Sequence, residues 1–389
     1  MRVDSLTLED FRNYSRETAA FAPGINLVVG RNAQGKTNLL EGVYVLGGLG
    51  SPRSADVALV RDGKERALLH ADVTRGMRTV HIDLEVGSGR GTRALLNGSP
   101  ISGVRALKEL SVCVFFGPDE LSLIKGSPEG RRRFLDEVVV KVRPARDGIR
   151  REWERVLKQR NALLKSAPRA GAAGSSARAT LEVWDEAFAR AGAELAAARL
   201  EVLGRLAPFT AKRYVAVAGG GDVRLRYASG WLEEADAAAA VARPDDIDVG
   251  RLRLALEAKI EEVREREIER GLSLAGPQRD DVEVLLSSAS GTPSMLDARV
   301  YASQGDQRSC ALALKLGEHD LLTDVLGEHP ILLLDDVFSE LDPSRRAWLA
   351  QSVRDIGQTF ISSAEPGALE AVGEGAVIEI EDGKLTRRA

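Results

Sequence analysis

Residues Asn26–Glu41 read N-L-V-V-G-R-N-A-Q-G-K-T-N-L-L-E, and this stretch decides the fold. An apolar run of β type at 26–29 feeds Gly30, Gly35, Lys36 and Thr37, which fill G-x-x-x-x-G-K-[ST] completely before a helical pattern opens at Asn38. Glycines at those places let backbone N–H groups turn inward around phosphate oxygens. The helix that follows aims the positive end of its dipole at the same point. Gly30, Arg31, Asn32, Ala33, Gln34, Gly35, Lys36, Thr37 and Asn38 are therefore candidate contacts for ATP. Lys36 would reach the β- and γ-phosphates, and the Thr37 hydroxyl would bind Mg²⁺.

A second strand with chemistry at its tip lies near the other end of the chain. Pro330-Ile331-Leu332-Leu333-Leu334 runs apolar into Asp335 and Asp336. Such a run is buried on both faces, so its acids project at the carboxyl edge of a parallel sheet, where phosphates bind in P-loop folds. Asp335 is the candidate Mg²⁺ acid, and Asp336 the candidate for polarising the attacking water. Between these segments, Ser303-Gln304-Gly305-Asp306-Gln307-Arg308 precedes an Ala/Leu-rich helix. A serine and a glycine at a helix start form a phosphate receptor or, more plainly, an N-cap. The order of P-loop, S-x-G signature, paired acids and then Ser339-Glu340-Leu341-Asp342 is that of an ABC-type ATPase.

Composition sets the bounds. At 389 residues, with 44% hydrophobic and 29% charged residues, the chain is an ordinary globular protein with room for more than one domain. Charges at Arg2, Asp4, Glu9 and Asp10 argue against a secretory signal, and no apolar run approaches the roughly 20 residues of a membrane span. A cytoplasmic protein is expected. Cys113 and Cys310, each among apolar neighbours, read as reduced core residues. His70, His81, His319 and His329 are scattered in sequence and match no metal-binding spacing, so no zinc site is predicted.

Strand-like runs are expected at 2–8, 67–74, 79–86, 92–96 and 110–116, the middle three as an antiparallel meander beside the nucleotide sheet. Long charged helical patterns follow at 128–142, 145–165, 180–206 and 248–270. The stretch 167–179, rich in Pro, Gly, Ser, Ala and Arg, reads as a mobile helix tip. The runs 214–218 and 223–228 read as a hairpin across three glycines. These patterns divide the chain into an N-terminal core half at 1–125, a helical lobe at 126–272 and a C-terminal core half at 273–389.

The corner Asp10-Phe11-Arg12-Asn13-Tyr14, the P-loop, Gly276-Pro277-Gln278-Arg279-Asp280-Asp281, the S-Q-G-D-Q-R signature and L-L-L-D-D-V-F-S-E-L-D at 332–342 together resemble the RecF family of bacterial recombination mediators. The resemblance covers both ATPase halves and Arg131-Arg132-Arg133-Phe134-Leu135-Asp136, and it thins between Ala167 and Arg270. It implies an α/β fold, an ABC/SMC-type P-loop ATPase head with an inserted helical lobe. It also implies a slow ATPase that dimerises on ATP and recognises DNA where duplex meets a single-stranded gap. Such a protein helps RecA to load, together with RecO and RecR, in replication, recombination, repair and the SOS response. On this chain it implies that Arg12 and Asn13 touch nucleotide, that Ser303 and Gly305 close on the γ-phosphate from a second subunit, and that Asp342 lies at the dimer seam. Asp119 or Glu120 would stand at the Q-loop. Gln278, Pro52 and Asp306 depart from the family's usual residues, and Ser362-Ser363 stand where transporters place a switch histidine.

DNA contact is expected from a local charge excess. From Lys125 to Arg160 there are twelve Lys/Arg against six Asp/Glu, although the net charge is −4. The candidates are Arg131, Arg132, Arg133, Arg143, Arg146, Arg150 and Arg151, against the alternative of a solvated helical face with ion pairs such as Arg150 with Glu154. Two other readings compete. One is an ABC transporter subunit, which lacks support because a basic helical lobe stands in place of a coupling surface. The other is a scaffold that uses ATP only as glue. A GTPase is disfavoured by the lack of N-K-x-D.

Overall fold

The computed structural model describes residues 1–388 apart from 55, 88–90, 104, 167–173, 288–293, 365–371 and 374, with the side chains of 174–179 and 388 also outside the described set. The stretch 167–179, expected to be a helix tip, falls on these positions. The chain folds as two compact units: residues 1–121, 213–220 and 311–389 form unit 1, and residues 122–212 and 221–310 form unit 2. The segment 273–310, expected with the C-terminal core half, groups with unit 2.

Unit 1 holds two sheets and a helix packed against both. One sheet is antiparallel, with spatial order β2-β1-β4-β5-β6-β7. Its strands are β1 (Arg2–Phe11), β2 (Tyr14–Ala20), β4 (Arg66–Arg75), β5 (Arg78–Gly87), β6 (Gly91–Leu96) and β7 (Ser99–Pro100). The expected meander ends within one residue of β4, β5 and β6, because alternation there is clean: Leu69, Ala71 and Val73 and then Ile82, Leu84 and Val86 are buried, with more exposed residues between them. The second sheet, β15-β14-β3-β13-β12-β8, is parallel except at its β15 edge. It comprises β3 (Ile25–Val29), β8 (Cys113–Phe116), β12 (Ile331–Asp335), β13 (Thr359–Ser363), β14 (Ala376–Glu381) and β15 (Lys384–Arg388). The strand expected at 110–116 is shorter, since 105–110 forms helix α2 (Arg105–Leu110).

Helix α1 (Lys36–Val45) is buried along most of its length, as its Leu, Val, Gly and Tyr content dictates. Leu39, Leu40, Val43 and Tyr44 join one core with Leu6 and Leu8 of β1 and with Val28, Leu333 and Phe360 of the parallel sheet. A side chain at Gly42 would stand 2.9 Å from Leu8 Cδ2, so the glycine permits the close approach of α1 to β1. Cys113 and Cys310 are both buried.

Unit 2 contains helices α3 (Ser122–Lys125), α4 (Pro128–Val142), α5 (Asp147–Ser166), most of α6 (Gly174–Ala218), α7 (Glu234–Ala242), α8 (Val249–Arg270) and α9 (Ala298–Tyr301). Helix α10 (Gln304–Leu326) begins in unit 2 and continues into unit 1. A small antiparallel sheet orders β11 (Met295–Asp297), β10 (Asp281–Ser287) and β9 (Val223–Ala228) side by side. The expected hairpin of 214–218 with 223–228 does not form. Residues 214–218 end α6, and β9 pairs instead with β10. Alternating Tyr-Val-Ala-Val-Ala suits either element over five residues, and the helix already running into it decides the outcome.

Unit 2 is held by buried ion pairs as well as apolar packing. Arg160, fully buried on α5, donates to Asp185 at 2.7 Å, Glu267 at 2.6 Å and Ser273 Oγ at 2.7 Å, and lies over the Phe188 ring. Arg199 forms a two-pronged pair with Asp136 at 2.7 and 3.0 Å and also donates to the Pro277 carbonyl. Full hydrogen bonding of each charge is what makes such burial tolerable.

Candidate nucleotide site

The parallel register places the chemistry at one edge. Strand β13 lies between β3 and β12, with Ser362 opposite Asp335 and Ser363 opposite Val29. The P-loop and the paired aspartates therefore leave neighbouring strand ends of one unit, although about 300 residues of chain separate them. Thr37 Oγ1 donates to Asp335 Oδ1 at 3.0 Å, and Ser362 Oγ donates to the same oxygen at 2.6 Å. Burial pushes the Asp335 carboxyl above its usual range, against those two donors and the nearby charge of Arg53.

Asp336 sits one residue past the strand with φ at 52°, in the left-handed region that a non-glycine residue rarely occupies. Its backbone N–H is pinned by Ser362 Oγ at 3.0 Å and Ser362 O at 3.2 Å. Its Oδ1 is buried without a hydrogen-bond partner among the described residues. An orphaned carboxylate oxygen beside a second buried acid and a threonine hydroxyl fits a group that brings positive charge or a polarised water.

Lys36 is buried, and its ammonium donates to the carbonyls of Gly30 at 2.7 Å and Arg31 at 2.8 Å. Burial lowers its pKa, while the charges of Asp336 and Asp335 oppose that shift. The loop is fixed from outside. Tyr14 Oη donates to Gly35 O at 2.8 Å, Asn13 Nδ2 to Gln34 O at 2.9 Å, and Asn38 Nδ2 to Asn13 Oδ1 at 2.8 Å. Gln34 Oε1 accepts from the Asp382 backbone N–H. Asn13 is thus in contact with the loop. Arg12 is held by the wholly buried Glu41 at 2.8 Å through two nitrogens, and by Ser54 Oγ at 2.7 Å. In this structure its guanidinium is engaged by the protein, beside the loop that its neighbour Asn13 touches.

Two groups went unpredicted here. Glu41 is the anchor of Arg12, and its one charge inside Leu-Leu-Glu-Gly-Val-Tyr-Val was the visible signal. Arg53 acts electrostatically on Asp335 from the loop after α1, and local sequence gave no sign of that.

The signature residues belong to unit 2. Ser303 caps α10, its Oγ accepting from the Asp306 N–H at 3.2 Å and donating to Asp306 Oδ2 at 2.7 Å. Gly305 lies in the first turn of that helix. Asp342 caps α11 (Pro343–Ser352), accepting from Ser344 Oγ at 2.6 Å and from the N–H groups of Ser344 and Arg345, and the Ser344 hydroxyl first and then the Arg345 N–H hold its carboxyl well below the usual range.

The basic residues of unit 2 divide into buried and exposed. Arg131 is buried, bidentate to Asp281 at 2.7 and 2.8 Å, and also bound to the Gly126 carbonyl. Its guanidinium is turned inward to a structural ion pair, unlike those of the exposed arginines. Arg146 is likewise engaged by Glu201 at 2.6 Å and only one-fifth exposed. Arg132 donates to the Asp280 carbonyl at 2.7 Å. Arg143 lies 3.4 Å from Glu201 and is half exposed. Arg133 is 63% exposed with Glu137 4.0 Å away, and Arg151 is 73% exposed on Asp147 at 2.7 Å. Arg150 pairs with Glu154 at 2.7 Å, the helical pair weighed from sequence. Arg132, Arg133 and Arg150 line one groove of about 390 Å³.

Among protein families, the chain matches the RecF/RecN/SMC N-terminal domain over residues 2–386. It is 42% identical to the DNA replication and repair protein RecF of Beutenbergia cavernae and 41% identical to that of Streptomyces avermitilis, each over the whole of both chains. The solved structure of the recombination mediator protein RecF with ATP, in the RecFOR pathway, is similar at a TM-score of 0.86 and 26% identity, over 100% of this chain and 97% of that one. The Smc head domain of Pyrococcus furiosus bound to the C-terminal domain of ScpA gives a TM-score of 0.55 at 15% identity, over 100% and 96% of the two chains, a likeness of fold alone. The fold is that of an ABC/SMC-type head with a helical lobe. Its phosphate loop and twin aspartates, drawn from opposite ends of a polypeptide that matches these relatives from end to end, identify their owner: the chain belongs to the RecF family.

Proposed function

We propose that this protein is a DNA repair and recombination ATPase that binds MgATP at the P-loop, holds DNA where duplex meets a single-stranded gap while ATP is bound, and lets go after slow hydrolysis. The observation that carries the proposal is the meeting of Thr37 and Asp335 at 3.0 Å beside an Asp336 oxygen that no described residue hydrogen-bonds. Lys36 would exchange its two loop carbonyls for phosphate oxygens, and Thr37 and Asp335 would hold Mg²⁺. The ion, once bound, neutralises phosphate charge. Asp336 would orient the attacking water through Oδ1. It is one methylene shorter than glutamate, and water activation requires a reach of about 2.6–3.2 Å, so a shorter arm supports a slow reaction and a long-lived ATP state.

DNA would be met by the exposed arginines Arg133, Arg143, Arg150 and Arg151, which can trade surface ion pairs of small value for phosphate. The names of the relatives, a DNA replication and repair protein and a recombination mediator of the RecFOR pathway, support DNA repair as the setting. RecO and RecR as partners, and RecA loading as the outcome, are proposed on the family resemblance. No helix among the described residues is long and apolar enough to cross a membrane. A cytoplasmic setting is proposed with the rest.

The test pairs phosphate release over many turnovers with binding to gapped, single-stranded and blunt duplex DNA at one salt concentration. Wild type should prefer gapped DNA only with ATP. Asp336→Asn should keep that binding while turnover falls at least tenfold, and Lys36→Ala should lose both. Arg150→Glu/Arg151→Glu should weaken DNA binding and leave ATP affinity within twofold. DNA binding indifferent to ATP would refute the proposal, and binding without any turnover would favour the scaffold reading.

A further inference from the structure

The pairing of β4 with β5 undoes the expectation that the histidines are scattered. His70 stands directly across from Asp83, and Asp72 directly across from His81. Their neighbours Leu69, Ala71, Ile82 and Leu84 point into the core, so the period of two sends all four of these polar side chains to the solvent face. There they form a square with histidines on one diagonal and aspartates on the other. Asp83 Oδ1 lies 2.6 Å from His70 Nδ1 and 3.2 Å from His81 Nε2. One oxygen thus faces a nitrogen from each ring, and the three ligand atoms lie within 4.8 Å of one another.

The fourth member sets the chemistry of the third. Asp72 Oδ1 lies 2.8 Å from His81 Nδ1, and Asp72 is itself held by Ser5 Oγ at 2.9 Å from strand β1. A carboxylate on Nδ1 holds that nitrogen as the donor, so Nε2, 3.2 Å from Asp83 Oδ1, is the nitrogen whose lone pair an ion in the cluster would take. Carboxylate, imidazole and open coordination position in series is the arrangement by which proteins orient a metal-binding histidine. A tetrahedral ion at about 2.0–2.2 Å from each donor would set the donors about 3.3–3.6 Å apart, so Asp83 Oδ1 would back away from His70 Nδ1, now 2.6 Å off, a change that partly exposed side chains can make by rotating.

We propose that His70, His81 and Asp83 form a surface site for one divalent transition cation of the zinc class, oriented by Asp72 and separate from the nucleotide site. Two imidazoles and one carboxylate favour such an ion over hard Mg²⁺, and the exposed side of the cluster leaves room for water as the fourth ligand. The ion would take the place between Asp83 and the two rings, tying β4 to β5 through side chains as well as through the strand ladder.

The test is calorimetric titration of the metal-free full-length protein with Zn²⁺ alone, without nucleotide. Wild type should bind one equivalent at this site. His70→Ala and His81→Ala should each weaken it at least tenfold, and the double variant should lose it while its ATP affinity stays at the wild-type value, which certifies the fold. Asp72→Asn should weaken Zn²⁺ binding about 10- to 100-fold and leave the melting temperature without zinc unchanged. Co²⁺ in place of Zn²⁺ should give the visible absorption of a tetrahedral ion in wild type and not in the double variant. Absence of Zn²⁺ binding by wild type at millimolar metal, or an undiminished equivalent in the double variant, would overturn the site. Unchanged affinity in Asp72→Asn would overturn the orienting role.

Discussion

Asp280 is a carboxyl folded away from water. It accepts from Tyr227 Oη at 2.6 Å and from Trp231 Nε1 at 3.0 Å, yet burial outweighs these donors and the charge of Arg199, and pushes its pKa up to about 6. The native state therefore holds this proton more tightly than the unfolded chain, whose Asp titrates near 3.9. The resulting stabilisation is complete below that value and is lost as pH rises through about 6. Between pH 4.5 and 7.5 the loss is about 2 kcal/mol at 1.36 kcal/mol per pH unit. In Asp280→Asn that dependence should vanish, so the urea-unfolding gap between wild type and variant should shift by about 2 kcal/mol in favour of wild type at the acid end. A gap independent of pH would mean that Asp280 keeps an ordinary pKa. Burial of charge was partly legible at this scale. Arg131 shares a helical face with Leu135, Val138 and Val142, and Arg160 falls on the stripe of Trp153, Val156 and Leu164. That spacing is compatible with an inward side chain at both positions, but the run of three arginines was read as a surface for phosphate.

At the scale of elements, motifs with local causes were readable and non-local pairings were not. The P-loop strand, its helix and the Asp-Asp strand were visible because each carries its chemistry within ten residues. The partner of β9 was not, since β10 follows about 50 residues later and no turn connects them. The same holds for the His/Asp square, which exists only through the register of β4 on β5. The loop between β3 and α1 offers a test of close fit. Gly35 has φ at 116°, and a side chain there would come within 2.7 to 2.9 Å of the Asn13 amide and the Tyr14 hydroxyl. Those are the groups that hold the loop carbonyls of Gln34 and Gly35. Gly35→Ala is strained in both backbone and space, so the loop should shift and the N–H groups lose their aim. ATP affinity is expected to fall at least tenfold with an unchanged circular dichroism spectrum. Wild-type affinity in this variant would show that the loop tolerates a Cβ and that its shape is set elsewhere.

At the scale of the molecule, the proposed reaction needs more than unit 1 provides. The phosphate loop and the aspartates belong to unit 1, while the signature Ser303 and Gly305 open helix α10 from unit 2. Immediately before them, α9 shows Val300 at 62% and Tyr301 at 68% exposure, large apolar residues next to an exposed helix start. Exposed apolar surface beside a phosphate receptor is suited to a second copy of the chain that brings its own bound phosphates, and a two-fold pair would use both such surfaces at once. ATP, sitting between the copies, would then supply the free energy of association, so dimerisation should rise with nucleotide occupancy. Light scattering at fixed protein concentration should give the monomer mass without ATP and twice that mass with ATP in Asp336→Asn, where turnover is blocked. Lys36→Ala should stay monomeric under both conditions. Tyr301→Asp should also stay monomeric yet bind ATP as wild type does, because it alters the seam and not the P-loop. Monomer mass in Asp336→Asn with ATP demonstrably bound would exclude nucleotide-driven pairing, and a dimer that survives Tyr301→Asp would place the seam away from α9.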